Sequence, residues 1–222
     1  MIRAVIFDMD GVIVDSEPLW ERSTWEYLAN KFGASFAHRH LRSSTVNTNI
    51  RGRTQRYINT FLKRRFGIAD APEQIEADRL KILLALFRRH LALTPGTRKL
   101  LASLERHGYP IALASSSPRR VVNYVVRRFK IKRYFRITIS GDDIRHSKPN
   151  PEVFRAAARQ LGHPLRETTI IEDSVSGVQA AVRAGAKLVA IRKPYTPVRF
   201  LKRASFIARD LRQVTLKKIQ SL

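Results

Sequence analysis

Two aspartates set two positions apart, Asp8 and Asp10 in FDMDGVIVDSE (residues 7–17), are the side chains of this sequence best placed to do chemistry. They close a short apolar run of strand length, Arg3-Ala4-Val5-Ile6-Phe7, and Gly11 breaks that run. If the run is a central strand of a parallel sheet, both carboxylates project at its C-terminal end, the edge where open α/β sheets bind ligands. An Asp-x-Asp-Gly step is also a common turn, because both residue types favour turns. A calcium loop with Gly11 as its sixth residue would set Asp8, Asp10 and Glu17 on positions three, five and twelve. Its first ligand position falls on Ile6, and no amphipathic helix precedes it.

Three more polar spots lie just beyond apolar runs or in adjoining loops: Ser115, Lys148 and the pair Glu172-Asp173. Each has an ordinary reading, as a helix cap, a solvated loop lysine and a second helix cap. In a parallel sheet, however, all C-terminal strand ends share one edge, so all of these groups can meet around Asp8. Such a set fits phosphoryl transfer. A hard cation such as magnesium takes carboxylate and carbonyl oxygens, which Asp8, the backbone carbonyl of Asp10, and Asp173 can supply. Ser115 ahead of a helix N-terminus and Lys148 suit the phosphoryl oxygens. A carboxylate nucleophile would form an acyl phosphate, and a second aspartate two residues on can protonate the leaving oxygen and later take a proton from water.

The elements that must position these groups follow from periodicity. Residues 17–92 read as almost entirely helical, with helices over 17–32, 54–66 and 72–93. Pro72 suits a first helical turn, and Glu73 and Glu76 complement the helix dipole. From Thr94 the texture alternates: helix 95–107, strand 110–114, helix 118–129, strand 137–140, helix 151–161, strand 168–172, helix 174–184, strands 187–191 and 205–208, then a last helix. This alternation predicts a doubly wound, Rossmann-like parallel α/β sheet, residues 1–15 and 94–222, carrying an inserted helical cap over 16–93. The segment 194–197 reads as a proline-rich loop.

Composition narrows the setting. There is no cysteine, so disulfides, zinc thiolate sites and thiol catalysis are excluded. No apolar run reaches membrane-spanning length and the first residues do not form a signal peptide, so a cytoplasmic protein without membrane insertion is the expectation. The 42 Lys and Arg against 18 Asp and Glu give a formal charge of +24, which favours nonspecific attraction to polyanions and says nothing about fold. The sequence has no aromatic-interleaved basic tract of the kind that marks a specific nucleic-acid binder.

Four segments, FDMDGVIVDSE at 7–17, TPGTRKLLASLERHGYPIALASSSP at 94–118, SKPNPEVFRAA at 147–157 and IIEDSVSGVQAAVRAGA at 170–186, resemble the haloacid dehalogenase superfamily of phosphatases. The likeness is to the subgroup with a small helical cap, close to β-phosphoglucomutase and the sugar-phosphate phosphatases, and the segments span nearly the whole core. The resemblance implies that Asp8 is the nucleophile, Asp10 the general acid and base, Ser115 and Lys148 the phosphoryl holders, and Asp173 a magnesium ligand. Glu172 matches an acidic residue that is either bound to Mg²⁺ or stands just behind it. The mutase branch has a His where this chain has Trp20, an Arg where Gln55 stands three residues after Gly52, and Lys-Asn where Pro118-Arg119 follow the serines. These departures favour hydrolysis of a small phosphate monoester, with Arg53 or Arg56 as candidates for a second phosphate. The expected partner is a small-molecule phosphate ester, and the default assembly is a monomer. The alternatives are a phosphosugar mutase and a basic polyanion-binding protein on a weakly active phosphatase scaffold.

Overall fold

The computed structural model describes residues 1–41 and 53–222. Short runs rich in apolar and β-branched residues become the strands of a parallel sheet, the central ones buried on both faces and the edge ones partly exposed. They are β1 (Ala4–Phe7), β2 (Ile111–Ala114), β3 (Ile137–Ile139), β4 (Thr168–Glu172), β5 (Lys187–Ile191) and β6 (Phe206–Ala208). Their spatial order is β3-β2-β1-β4-β5-β6 and every pair is parallel, with Val5 opposite Ile111 on one side and Thr169 on the other. The chain runs outward from β1 to β3, returns to lay β4 against β1, and runs outward again to β6. The order therefore reverses between β1 and β4, and a crevice opens at their C-terminal ends. Asp8 follows β1 and Glu172 ends β4, so this reversal brings residues 164 apart in number onto one edge.

Alternate residues of each strand serve opposite layers. Val5, Phe7, Ile171 and Val189 pack under α5 (Thr97–Arg106) and α6 (Arg119–Arg128), through Leu101, Leu104, Val122 and Val125 among others. Ala4, Ile6, Ala112 and Ile170 pack under α7 (Glu152–Leu161) and α8 (Val175–Ala184). Two short helices, α9 (Val198–Leu201) and α10 (Leu216–Gln220), complete the core. No helix among the described residues is long and apolar enough to cross a membrane.

Between β1 and α5 the chain inserts α1 (Glu17–Phe32), α2 (Ala34–Leu41), α3 (Gln55–Phe66) and α4 (Pro72–His90). Tyr27, Leu28, Ala37, Ile58, Leu62, Ile68 and Ile75 give these helices an apolar cluster of their own. α4 belongs to both clusters: Ile75 lies in the helical one, whereas Leu80, Leu83, Leu86 and Phe87 pack into the layer over the sheet. The insertion leaves and rejoins the core through two adjacent segments. Asp15 N–H donates to Ala92 O, Thr94 N–H to Ile13 O, and Val14 pairs antiparallel with Leu93.

That stem corrects one sequence expectation. The fourth helix stops at His90 instead of running to Leu93, because Leu93 is taken into the pairing with Val14 and Thr94 precedes a proline, which disfavours helical backbone. The other elements lie within about two residues of their expected bounds, the ordinary scatter of helix and strand ends.

Phe87 ties α4 to the core, with its ring 6.3 Å from Trp20 and 6.2 Å from Tyr124 between centroids. We expect Phe87→Ala to lower the unfolding free energy by about 3–5 kcal/mol in urea titration, the cost of emptying a well-packed aromatic site. A loss below about 1 kcal/mol would show that α4 is not anchored there.

Candidate active site

Asp8 is nearly buried at the end of β1, and its N–H donates to Ile171 O at 3.0 Å, so strand pairing continues up to the carboxylate itself. Lys148, wholly buried, donates from Nζ to Asp8 Oδ1 at 2.5 Å and to Glu172 Oε1 at 2.7 Å. The lysine sits in the loop before α7, next to a cis Lys148-Pro149 peptide, with its ammonium 4.8 Å from the Phe154 ring centroid. Arg53 reaches the same loop and donates to Lys148 O at 2.8 Å.

Glu172 is held on both oxygens. While Oε1 accepts from Lys148, Oε2 accepts the N–H groups of Asp173 (2.6 Å) and Ser174 (2.7 Å), where α8 begins. Ser174 in turn caps α8 by accepting from Gly177 N–H. Gly177 is required there: a Cβ would stand 1.7 Å from Glu172 Oε1. Asp173 accepts from the Tyr195 hydroxyl at 2.5 Å, and its carbonyl accepts from Thr196 Oγ1 at 2.6 Å. Gly11, at φ +82°, clears the other side, since a Cβ there would lie 2.0 Å from Asp173 Oδ2.

Asp10 borders the same cavity as Asp8, Lys148 and Glu172, held by a separate set of donors. Its Oδ1 accepts from Ser16 Oγ (2.7 Å) and Trp20 Nε1 (2.9 Å), and its Oδ2 from Ser115 Oγ (3.1 Å) and Ser117 Oγ (2.7 Å). Ser115 is fully buried and reaches the cavity-lining Asp10, and Ser116 and Ser117 line the cavity itself. The space beside them is about 50 Å³, room for a few waters, and the insertion borders it with Trp20, Gln55 and Arg79. Among the described residues, Arg79 is a buried cation without a carboxylate in hydrogen-bond contact: it donates to Gln55 Oε1, Asn59 Oδ1 and Thr24 Oγ1, and burial lowers its pKa to about 10. Arg56 points instead into a separate outer groove, and Gly52 lies outside the described residues.

Asp8, Glu172 and Asp173 are the carboxylates that converge, each offering an oxygen within 4.8 Å of the others. Burial raises Asp8 well above its ordinary value near 3.8, Lys148 opposes this, and the carboxylates around it add to it. Burial also raises Asp173, reinforced by Glu172 and Glu17 and opposed by the Tyr195 hydrogen bond. Burial by itself would lower the Lys148 ammonium, but Asp8 and Glu172 outweigh it and hold the group above the ordinary lysine value of 10.5. Three carboxylates against one lysine leave a buried excess of negative charge, and the donors are all oxygens. That donor set fits a hard divalent cation.

The residues picked from sequence thus gather at one edge, with Ser115 and Asp10 bonded to each other and Asp8, Lys148, Glu172 and Asp173 forming the charged group. Sequence reading passed over Ser16, Trp20 and Ser117 as donors to Asp10, and Tyr195 and Thr196 as partners of Asp173. The last two follow β5, so the strand-end argument that found Asp8 also pointed to them; proline in 194–197 gave the segment the look of a plain loop.

The haloacid dehalogenase-like hydrolase family matches residues 2–185, a span that holds Asp8, Asp10, Ser115, Lys148, Glu172 and Asp173 and stops short of Tyr195 and Thr196. The chain belongs to that family. A phosphorylated carbohydrates phosphatase of Thermotoga maritima is 29% identical over 188 residues, covering 85% of this chain and 84% of that protein. Hexitol phosphatase B of Escherichia coli K12 is 28% identical over 193 residues, covering 87% and 85%. The structure of CbbY from Rhodobacter sphaeroides in complex with phosphate superposes with a TM-score of 0.83 over 99% of this chain and 100% of that one, at 24% identity. This last likeness is one of fold.

The buried charge of this hydrolase has a thermodynamic signature. A carboxyl whose folded pKa is raised binds more protons in the native state than in the unfolded one between the two values, so it costs stability as pH rises through that window. In metal-free protein, Asp173→Asn should therefore be close to wild type in stability near pH 4 and gain on it as pH approaches 7, and added magnesium should stabilise it less than the wild type. Chemical denaturation at several pH values with chelator, then with magnesium, checks both halves. A difference that does not change with pH would refute the raised Asp173.

Proposed function

We propose that this hydrolase is a magnesium-dependent phosphatase acting on a small phosphate monoester of the sugar or polyol class, through an aspartyl phosphate on Asp8. The observation that carries the proposal is the Asp8–Lys148–Glu172 arrangement: a buried carboxylate, 2.5 Å from a lysine that is itself tied to Glu172, with Asp173 adjacent. Two relatives named as phosphatases of phosphorylated carbohydrates and of hexitols support the substrate class.

In the first step an Asp8 carboxylate oxygen attacks phosphorus, the ester P–O bond breaks, and Asp10 gives a proton to the departing alcohol oxygen. In the second, Asp10 takes a proton from water as the water oxygen attacks phosphorus, and the bond to Asp8 breaks to release inorganic phosphate. Three of the four donors on Asp10 are hydroxyls, which can rotate from donating to accepting when the carboxyl carries a proton; the Trp20 N–H is the fixed one. Lys148 offsets the phosphoryl charge, and Ser115 to Ser117 with the N-terminus of α6 hold its oxygens. Asp8, the Asp10 carbonyl and Asp173 would hold the magnesium ion, with Glu172 fixing Lys148 and the loop behind it. When bound, the ion supplies charge stabilisation to the transferring group.

Residues 16–93 act as the cap. The cap brings Trp20, Gln55 and Arg79 over the site; it opens to load substrate and closes to exclude bulk water. Against the mutase reading stands Gln55, a neutral amide fixed by Arg79; the cations that the insertion brings to the cavity are Arg53 and Arg79. With β-glucose 1-phosphate and a trace of the 1,6-bisphosphate, inorganic phosphate should accumulate faster than glucose 6-phosphate; faster isomerisation would establish the mutase.

The central test is phosphate release from a panel of sugar, polyol and nucleotide monophosphates, with magnesium and after chelation. Asp8→Asn should abolish release from all of them while leaving the fold intact, because an amide is a poor nucleophile. Turnover like wild type by that variant, or full activity after exhaustive chelation, would remove Asp8 or the metal from the scheme.

Asp10 makes a finer prediction. Asp10→Asn should slow sugar phosphates, whose alkoxide needs a proton, by about 10²–10⁴-fold and aryl phosphates far less. Equal losses on both ester types would leave Asp10 a positioning role only.

A further inference from the structure

The excess of positive charge is not consumed by the active site. Several exposed arginines elsewhere are paired, as in Arg22 with Glu26, Arg119 with Asp143 and Arg212 with Asp210. One face is different. A groove of about 1000 Å³ runs between α3 and the core loop that carries Lys148, and Arg56, Arg64, Arg65, Arg145 and Arg183 line it. All five are exposed, and among the described residues none has a carboxylate within 4.0 Å of its guanidinium. No Asp or Glu lines the groove. At its edge Glu152 is engaged by His146 and the N–H groups of Arg145 and His146.

Helical spacing orders the α3 side. Arg56, Thr60 and Arg64 fall on one i, i+4 stripe, and Tyr57, Phe61 and Arg65 on the next, so the rings run alongside the charges. Tyr57 is 38% exposed and carries the Arg53 guanidinium 4.8 Å from its ring centroid. Uncompensated like charges crowded on two walls of a cleft repel one another and focus a positive field into it. The field suits a ligand with several negative charges, and the aromatic stripe suits one with flat faces. A flat bilayer does not enter a concave groove, and an isolated phosphate would leave the rings and most of the length unused. A single-stranded polynucleotide supplies both a repeated phosphate and a stackable base.

We infer that this groove binds single-stranded nucleic acid without sequence specificity, phosphates against the arginines and bases against Tyr57 and Phe61. This inference does not depend on the phosphatase reading, since binding requires no turnover. The basic and aromatic residues come from segments around 56, 64, 145 and 183, which is why no single tract of the sequence shows the pattern.

The test is fluorescence anisotropy with a 12-nucleotide RNA of mixed sequence, labelled at its 3′ end and bearing a 5′-hydroxyl, so that it offers the active site no phosphate monoester. Binding should weaken with salt, with a slope of log K against log[salt] near about −3, that of roughly four phosphates neutralised on a single strand. The double variant Arg64→Glu/Arg145→Glu should lose at least about tenfold in affinity, whereas Arg106→Glu/Arg127→Glu, an equal charge change on the opposite face of the sheet, should lose less than about threefold. Tyr57→Ala should weaken RNA about five- to tenfold while leaving inorganic polyphosphate, which has no bases, unaffected. Thermal unfolding midpoints check that each variant is folded; if the glutamate pair is not, Arg64→Gln/Arg145→Gln makes the same comparison. Equal losses from the two double variants would reduce the effect to net charge and overturn the inference. Absence of RNA binding at 50 mM salt, or equal loss of RNA and polyphosphate on Tyr57→Ala, would overturn it as well.

Discussion

One buried ammonium organises this molecule's chemistry. Lys148 bridges Asp8 at the end of β1 and Glu172 at the end of β4, the two strands between which the sheet reverses its order. An unpaired charge at such depth is costly to keep, and so are carboxylates left without a cation. Each member is tolerable only because the others are present. The interaction also has a mechanical side: through Glu172 it is pinned to the first N–H groups of α8, and through the loop of residue 148 to α7. The charged centre is therefore positioned by two strands and two helices, and none of its carboxylates rests on a flexible connection.

The glycines beside it express the same constraint in steric form. Gly11 and Gly177 stand where a single extra carbon would enter the space of Asp173 and Glu172. Carboxylates this close to backbone are held by the shape of the chain as well as by hydrogen bonds. Tyr195 and Thr196 add the fifth strand's loop to the enclosure, so the whole run of strand ends from β2 to β5 contributes to one site.

Much of this was legible in the sequence, for identifiable reasons. β1 and β2 are continuous apolar runs, and β4 and β5 have apolar centres with polar residues at their ends, because both faces of these strands are covered; the alternation with helices left few topologies open. Asp8, Ser115, Lys148 and Glu172-Asp173 stand out because polar residues at the ends of such runs need a purpose. What stayed hidden depends on contacts across long separations. Nothing local to Trp20 says that its indole meets Asp10, and nothing local to Arg79 says that it is buried among Gln55, Asn59 and Thr24. The end of α4 was misjudged for a similar reason: Leu93 fits the helical period, and only pairing with Val14 takes it out. The charge excess was plain as a total, while its concentration on one groove required the fold.

The placement of α4 has a consequence for how the molecule comes apart. Its first half closes the apolar cluster of the inserted helices and its second half joins the apolar layer that α5 and α6 lay on the sheet. An insertion joined only by its stem would melt in its own transition, ahead of the core. Here the loss of the helices strips that layer of Leu83, Leu86 and Phe87, and the loss of the layer leaves α4 half bare. Shared burial of this kind couples the unfolding of the two regions. Breathing of the insertion is bounded by the integrity of the sheet beneath it, and a change that loosens either one is felt by both.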